Sequence, residues 1–518
     1  MIIAFTIFSL PIVCILGVIL RMRGTRLAYV WFLLFAMTGL VLLTLLLLNP
    51  TTANAFEIAG YFPSGSSSVD ISYRLTADNK LTGISVFILA LAFLATETIS
   101  LKGNQSLYRW IELLLFASIA WVIVLAANAW TVLISWFALD LMDFASQLIA
   151  RRYSKGKFIP YFLFKLLGFM ALVVVSSRAY QANPQYLLGG QIPNMGLWVL
   201  FAVFLHGGVS FQWLNNDKNK QIETHFYLIQ LIIFISHYYL LSQVSATSMS
   251  PILKLFTQLI MAAGVVFISI RWLFNTTDDF IIESLILIMA FITGSIFIGE
   301  NQHGIIFMLS ALLPLSWIFL AHKRTRQFTP FWLIGLFTLS GFPFSLIFAA
   351  LENMILQDRY FEIILNIIPV AIIAIGVFRI LRKPIGNFDQ LEPLHQVVYI
   401  FGLMLPLLGM IFILWRNLPQ FQISYLWVGI SMLLASSLFY WIKERNKLPK
   451  RDLSQSQELR SKFAVFSREF SSALRVGIEA AGKGLSYGAR LLEAEGGILW
   501  AIVFLSLLFT ILASFEGF

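Results

Sequence analysis

The chain has 518 residues, of which 59% are apolar and 12% charged, against roughly 45–50% and ~25% in soluble domains. Its 36 Lys and Arg outnumber 26 Asp and Glu, giving a net charge of +10. A soluble core cannot hide this much apolar surface, so disorder, a secreted disulfide scaffold and a cytosolic enzyme are excluded, and the single cysteine, Cys14, allows no internal disulfide and no Cys-rich metal or iron–sulfur site.

Apolar runs of about 20 residues, enough to cross ~30 Å of hydrocarbon, recur along the chain and predict an all-α polytopic membrane protein. Sixteen spans are expected, near 1–20, 27–49, 81–98, 110–127, 129–150, 158–177, 196–213, 224–244, 252–270, 280–298, 304–321, 329–350, 361–378, 396–414, 422–442 and 496–515. No small-residue cleavage site follows the first run, which therefore reads as a span rather than a signal peptide. Spans 1–4 occupy 1–127. Between the second and third, residues 51–80 carry Pro63, Gly65 and Ser66–Ser68, then the alternating Val69-Asp70-Ile71-Ser72-Tyr73-Arg74, the pattern of a small exterior hairpin or loop cap.

Later, spans 14–15 lie in 396–442. They are followed by a strongly basic segment, Lys443 to Arg451, and by Leu459, Phe463, Phe466, Phe470 and Leu474 at helical spacing. Residues 443–495 thus predict a cytoplasmic amphipathic helix lying along a membrane or protein surface, broken near Gly482, before the last span in 496–518. Twenty-nine of the 36 Lys and Arg fall in one set of alternate loops, six in the other, and Lys165 lies inside a span. The positive-inside rule then places the basic loops in the cytoplasm and both termini outside, as in a bacterial inner (plasma) membrane.

Ionisable groups at membrane depth are expensive and usually functional. Asp140 and Asp143 lie three residues apart in the fifth span, on one helical face. Lys165 in the sixth span matches Asp143 in depth, which predicts a salt bridge to Asp143 or Asp140. His206 and His237, in the seventh and eighth spans, add groups that exchange protons near neutral pH. These five are the ion-translocation candidates. A structural clamp explains the acidic pair and the lysine equally well, and packing explains a lone intramembrane histidine. His225 and His303, near span ends, are expected at the interface. No metal-ligand spacing, phosphate loop, dinucleotide fingerprint or nucleophile–His–acid arrangement occurs, so no cofactor, metal, catalytic site or nucleic-acid role is expected.

Several motifs, in order, resemble the antiporter-like membrane subunits shared by respiratory complex I, membrane-bound hydrogenases and Mrp-type cation/proton antiporters. They are Arg74-Leu75-Thr76-Ala77-Asp78-Asn79-Lys80-Leu81-Thr82 at the entry to the third span, and Asp140-Leu141-Met142-Asp143-Phe144-Ala145-Ser146-Gln147-Leu148-Ile149 in the fifth, with Asp140 where the family has its key glutamate. Val209-Ser210-Phe211-Gln212-Trp213-Leu214 closes the seventh, and Leu339-Ser340-Gly341-Phe342-Pro343-Phe344 opens a broken twelfth. The resemblance implies inverted five-helix repeats over 110–244 (spans 4–8) and 252–378 (spans 9–13), a lateral helix in 443–495, and partner subunits in a larger complex. Helix breaks or kinks are expected at Pro314 and at Gly341–Pro343.

The departures from the family weigh as much. Phe204 stands where the resemblance expects the seventh-span relay lysine, Phe234 or a neighbour at the eighth-span lysine, and Leu351, beside Glu352, at the twelfth. The eleventh span, Met308-Leu309-Ser310-Ala311-Leu312-Leu313-Pro314, is non-ionisable. Two functions follow: a proton- or cation-translocating subunit driven by a partner, or a degenerate scaffold that holds partner subunits in the membrane. A self-contained transporter or membrane enzyme is the third class.

Overall fold

Long runs of Leu, Ile, Val and Phe satisfy their backbone internally as helices, and helices dominate the fold. The computed structural model describes residues 2–49, 55–58, 71–100, 104–150, 165–177, 195–203, 205–206, 224–242, 301–321, 328–356, 360–382, 388, 391–417 and 426–445. The expected spans near 252–270, 280–298 and 496–515 lie outside these residues, as do the amphipathic segment beyond Arg445, Phe204, and the side chain of His303.

The helices are α1 (Ile2–Met22), α2 (Leu27–Leu47), α3 (Ala77–Thr96), α4 (Asn104–Leu125), α5 (Ala129–Ala150), α6 (Lys165–Ser177), α7 (Met195–Val203), α8 (Thr224–Ser242), α9 (Asn301–Leu320), α10 (Thr329–Phe337), α11 (Leu346–Leu356), α12 (Tyr360–Arg382), α13 (Pro393–Arg416) and α14 (Leu426–Arg445). Six of them are long and apolar enough to cross a membrane: α1, α2, α3, α4, α5 and α13. Exposed apolar side chains run down one face of α13 at helical spacing, through Leu394, Val397, Phe401, Met404, Leu408, Ile411 and Trp415, and α1 carries a similar face. Such faces suit lipid, and the chain is an integral membrane protein.

The centre of the bundle is α3, buried along its length from Asn79 to Thr96 and packed by α2, α4, α8, α9 and α13. A capping box starts it. Thr76 Oγ1 accepts from Asn79 N at 3.2 Å, and Asn79 Oδ1 accepts from Thr76 N at 2.6 Å. This satisfies two of the first-turn donors that a helix otherwise leaves bare. One turn on, buried Lys80 donates to the carbonyls of Leu46 and Leu48, closing the end of α2. The sequence places Lys80 in an exterior loop, whereas its ammonium ties two helices together. Gly83 is required here: a Cβ would stand 2.1 Å from the Trp121 ring of α4.

Residues 55–58 and 71–74 pair antiparallel as β1 (Ala55–Ile58) and β2 (Ile71–Arg74), in the register Ala55↔Arg74 to Ile58↔Ile71. The hairpin is fastened to the α4–α5 corner. Ser72 N donates to Thr131 Oγ1 at 3.0 Å, and Asn128 Nδ2 donates to Ser72 Oγ at 2.9 Å. Tyr73 lies buried against this corner, and burial pushes its phenol above the usual range.

At Pro314 the expected break is absent: α9 runs unbroken through it. The helix is packed by α3, α8, α11, α12 and α13, and neighbouring helices let a proline be tolerated inside a span. A break does separate α10 from α11. Gly341 there has φ +69° and Phe344 φ 70°, the left-handed region, which glycine enters freely and phenylalanine only under local strain. Ser345 Oγ then accepts from Phe348 N at 3.1 Å to start α11.

Candidate functional site

Helices α4, α5, α6 and α8, with the residues just after α7, bring together a set of buried ionisable groups. On α5 the positions 140, 143 and 147 share a face, being separated by three and four residues. Gln147 Nε2 donates to Asp143 Oδ1 at 3.1 Å. Lys165, at the start of α6, donates to Asp143 Oδ2 at 2.6 Å and lies 3.5 Å from Asp140 Oδ1. The lysine and Asp143 are almost wholly withdrawn from solvent, with side chains 4% and 2% exposed, and Asp140 is 12% exposed.

Beyond Asp140 the contacts continue through two imidazoles. The backbone at Leu205 and His206 is wound as a π turn, a local widening that re-aims a side chain. His206 Nε2 meets Asp140 Oδ1 at 2.7 Å, and His206 Nδ1 meets His237 Nε2 at 2.7 Å. His237 Nδ1 donates to the carbonyl of Ile233, one turn back on α8, at 2.7 Å. The buried ring of Trp136 lies 4.6 Å from the His206 ring and 4.4 Å from that of His237. Gly168 on α6 lets this corner close: a Cβ there would stand 2.8 Å from the Ala202 carbonyl oxygen and 2.9 Å from His206 Cβ. The five candidates thus form one hydrogen-bonded file, Lys165 and Asp143 at one end and His237 at the other.

A second group extends the buried polar face toward the N-terminal ends of α4 and α8. Glu112 of α4 receives a hydrogen bond from Ser146 of α5, and its other oxygen lies 3.2 Å from His225 Nε2 of α8. All three residues are buried. His225, expected near a span end, lies at the start of α8 and is buried between helices. Glu112, third in its apolar run, provides at the same depth the partner that draws the imidazole inside. Sequence reasoning passed over Glu112, and the signal was an acid inside a predicted span. Among the described residues no group of three His, Cys, Asp or Glu side chains is placed to hold a metal ion.

No protein-family model matches the sequence, and no curated protein matches it. Solved structures do. The chain superposes on a chain of the Mrp complex from Dietzia sp. with a TM-score of 0.65 at 14% identity, over 99% of its own length and 63% of that chain. It thus spans less than two thirds of that relative. A chain of respiratory complex I from Thermus thermophilus matches over 78% of this chain and 97% of that one, with a TM-score of 0.58 and 16% identity. A chain of the membrane-bound sulfane sulfur reductase, an archaeal respiratory membrane complex, matches over 99% and 100%, at 0.61 and 14%. The chain thus shares its fold with these membrane-complex chains. On that fold Phe234 and Leu351 are buried apolar side chains. The side chain that meets Asp140 is His206, two residues past Phe204.

Proposed function

We propose that this chain is an antiporter-like subunit of a multisubunit membrane complex and is linked to proton or cation translocation driven by a partner. The observation that carries the reading is the unbroken file from Asp143 and Lys165 through Asp140 and His206 to His237, buried among apolar helices. Burying such groups costs several kcal/mol even when paired, and a packing role alone is served as well by apolar side chains. The wider layout belongs to the same proposal. It has sixteen spans, inverted repeats over 110–244 and 252–378, a lateral amphipathic helix in 443–495, basic loops in the cytoplasm of a bacterial inner membrane, and partner subunits of the kind found in the Mrp and respiratory complexes.

The second reading, a non-conducting scaffold, draws on Phe234 and Leu351, which stand buried in the apolar core where the resemblance expects lysines. One experiment separates the two. The purified complex in liposomes is assayed for ion flux with wild-type chain and with Asp140→Asn. Translocation predicts flux that the variant abolishes while the complex still assembles. Equal, non-zero flux in both removes Asp140 from the path, and zero flux in both supports the scaffold. The subunits that co-purify identify the driving partner.

A further inference from the structure

The contact atoms around His206 and His237 dictate where hydrogens must stand. A carbonyl oxygen only accepts, so His237 Nδ1, 2.7 Å from Ile233 O, carries a hydrogen. One hydrogen must also lie between His237 Nε2 and His206 Nδ1, and another between His206 Nε2 and Asp140 Oδ1, each pair being 2.7 Å apart. Three contacts need three hydrogens. Two neutral imidazoles supply one each and an ionised carboxylate supplies none.

We propose that the Asp140–His206–His237 chain holds one extra, transferable proton near neutral pH. The charges agree with the hydrogen count. Among the described residues, Lys165 and Asp143 cancel at 2.6 Å, ionised Asp140 leaves one negative charge in excess, and one proton makes the group neutral. A buried site with side chains 0–12% exposed strongly disfavours net charge. The contact atoms meet one another directly, so the balancing species is a proton rather than a metal cation. The Trp136 face against both rings favours a positive charge on either. Among the described residues, the charged groups facing the imidazoles are Asp140 from α5, Lys165 from α6 and each other. Glu112 and His225, between α4 and α8, pair further along the same buried face.

Transfer needs no further reactant. With His206 doubly protonated, its Nε2 hydrogen moves to Asp140 Oδ1, breaking an N–H bond and forming an O–H bond. Alternatively its Nδ1 hydrogen moves to His237 Nε2, leaving His206 neutral and His237 doubly protonated. Total charge is constant in both steps, and the proton shifts along the file. The presence of this proton rests on geometry alone. Its use in transport rests on the translocation reading above.

The test is solid-state NMR of the full chain in its complex, in bilayers, with labelled histidine nitrogens and aspartate carboxyls. The pH is set about 1.5 units above the ordinary imidazole value of ~6.5, where isolated rings are almost all neutral. Coupling across the His206–His237 hydrogen bond picks these two out of the six histidines, and His206→Gln and His237→Gln check the assignment. In the wild type the two rings and the Asp140 carboxyl should together carry three hydrogens. In Asp140→Asn the amide can turn its own N–H toward His206 Nε2, no charge retains the extra proton, and the two rings should carry two. Two ring hydrogens beside an ionised Asp140 in the wild type would overturn the proposal, and so would three on the rings of the variant. A loaded chain in a complex without flux would sink translocation and leave this inference standing. An unloaded chain in a conducting complex would do the reverse.

Discussion

Replacing Lys165 by methionine keeps the length of the side chain and removes its charge. At 2.6 Å and an effective dielectric of ~20, the attraction to Asp143 is about 6 kcal/mol, and at 3.5 Å that to Asp140 is about 5 kcal/mol. Most of this offsets the desolvation of the three groups, so the pair adds little net stability over an apolar pair. The cost appears when one partner goes. Asp143 then keeps the hydrogen bond from Gln147 but loses the ammonium, and breaking a buried pair typically costs ~3–5 kcal/mol. Lys165→Met is therefore expected to lower the unfolding midpoint in detergent by that equivalent. Lys165→Met with Asp143→Leu should recover most of the loss, because no unpaired charge remains at that end of the file. A coupling energy in this double-mutant cycle of more than about 2 kcal/mol is expected. If Lys165→Met costs under about 1 kcal/mol and the two changes add, the lysine reaches water and the buried file loses its anchored end.

Other substitutions probe neighbouring links. Glu112→Gln keeps an acceptor for Ser146 but removes the ionic partner of buried His225, so a loss of ~1–3 kcal/mol is expected in unfolding, with no change if His225 is solvated. Gly168→Ala forces a methyl into the Ala202 carbonyl and His206 Cβ; overpacking of ~1–3 kcal/mol should appear together with altered His206 ring signals in NMR. Asn128→Ala removes the cap in which Asn128 Oδ1 accepts from Thr131 N at 2.8 Å, together with the bond to Ser72. A cost of ~0.5–2 kcal/mol and faster amide exchange confined to 71–74 and the start of α5 are expected.

Much of this architecture could be read from residue order. The alternation of Ile71-Ser72-Tyr73-Arg74 marks a strand, and these residues pair with 55–58. The three-residue spacing of Asp140 and Asp143 puts both on the face that meets Lys165. What spacing does not reveal is which groups on separate helices stand at one depth. His225 looks interfacial by its place near a span end, yet Glu112 lies opposite it and both are buried. Lys80 counts as a loop charge until the end of α2 is known to offer it two carbonyls. Pro314 disfavours an isolated helix, but α9 continues through it among packed neighbours that no local rule contains. Motif register pointed to Phe204, whereas the π turn at 205–206 delivers His206 to Asp140.

The file also has a definite end. His237 gives its Nδ1 hydrogen to the Ile233 carbonyl of its own helix. One of the helices packed against α8 is α9, where Ile305 to Leu309 are buried and apolar. The α9 hydroxyls are turned back on their own turns: Ser310 donates to Phe307 O and Ser316 to Leu313 O, both at 2.6 Å. Behind α9, α11 presents buried Leu351. Among the described side chains of α9, from Gly304 to Leu320, none is ionisable. This asymmetry bears directly on the two functions. Buried acids and bases are retained where α5, α6 and α8 meet, at a standing cost in desolvation, while α9 is filled with close-packed apolar side chains. A structural clamp accounts for the Lys165–Asp143 pair, whereas the linked imidazoles of His206 and His237 add exchangeable groups that a clamp does not need. Under the translocation proposed above, charge would move where α5, α6 and α8 meet and not along α9.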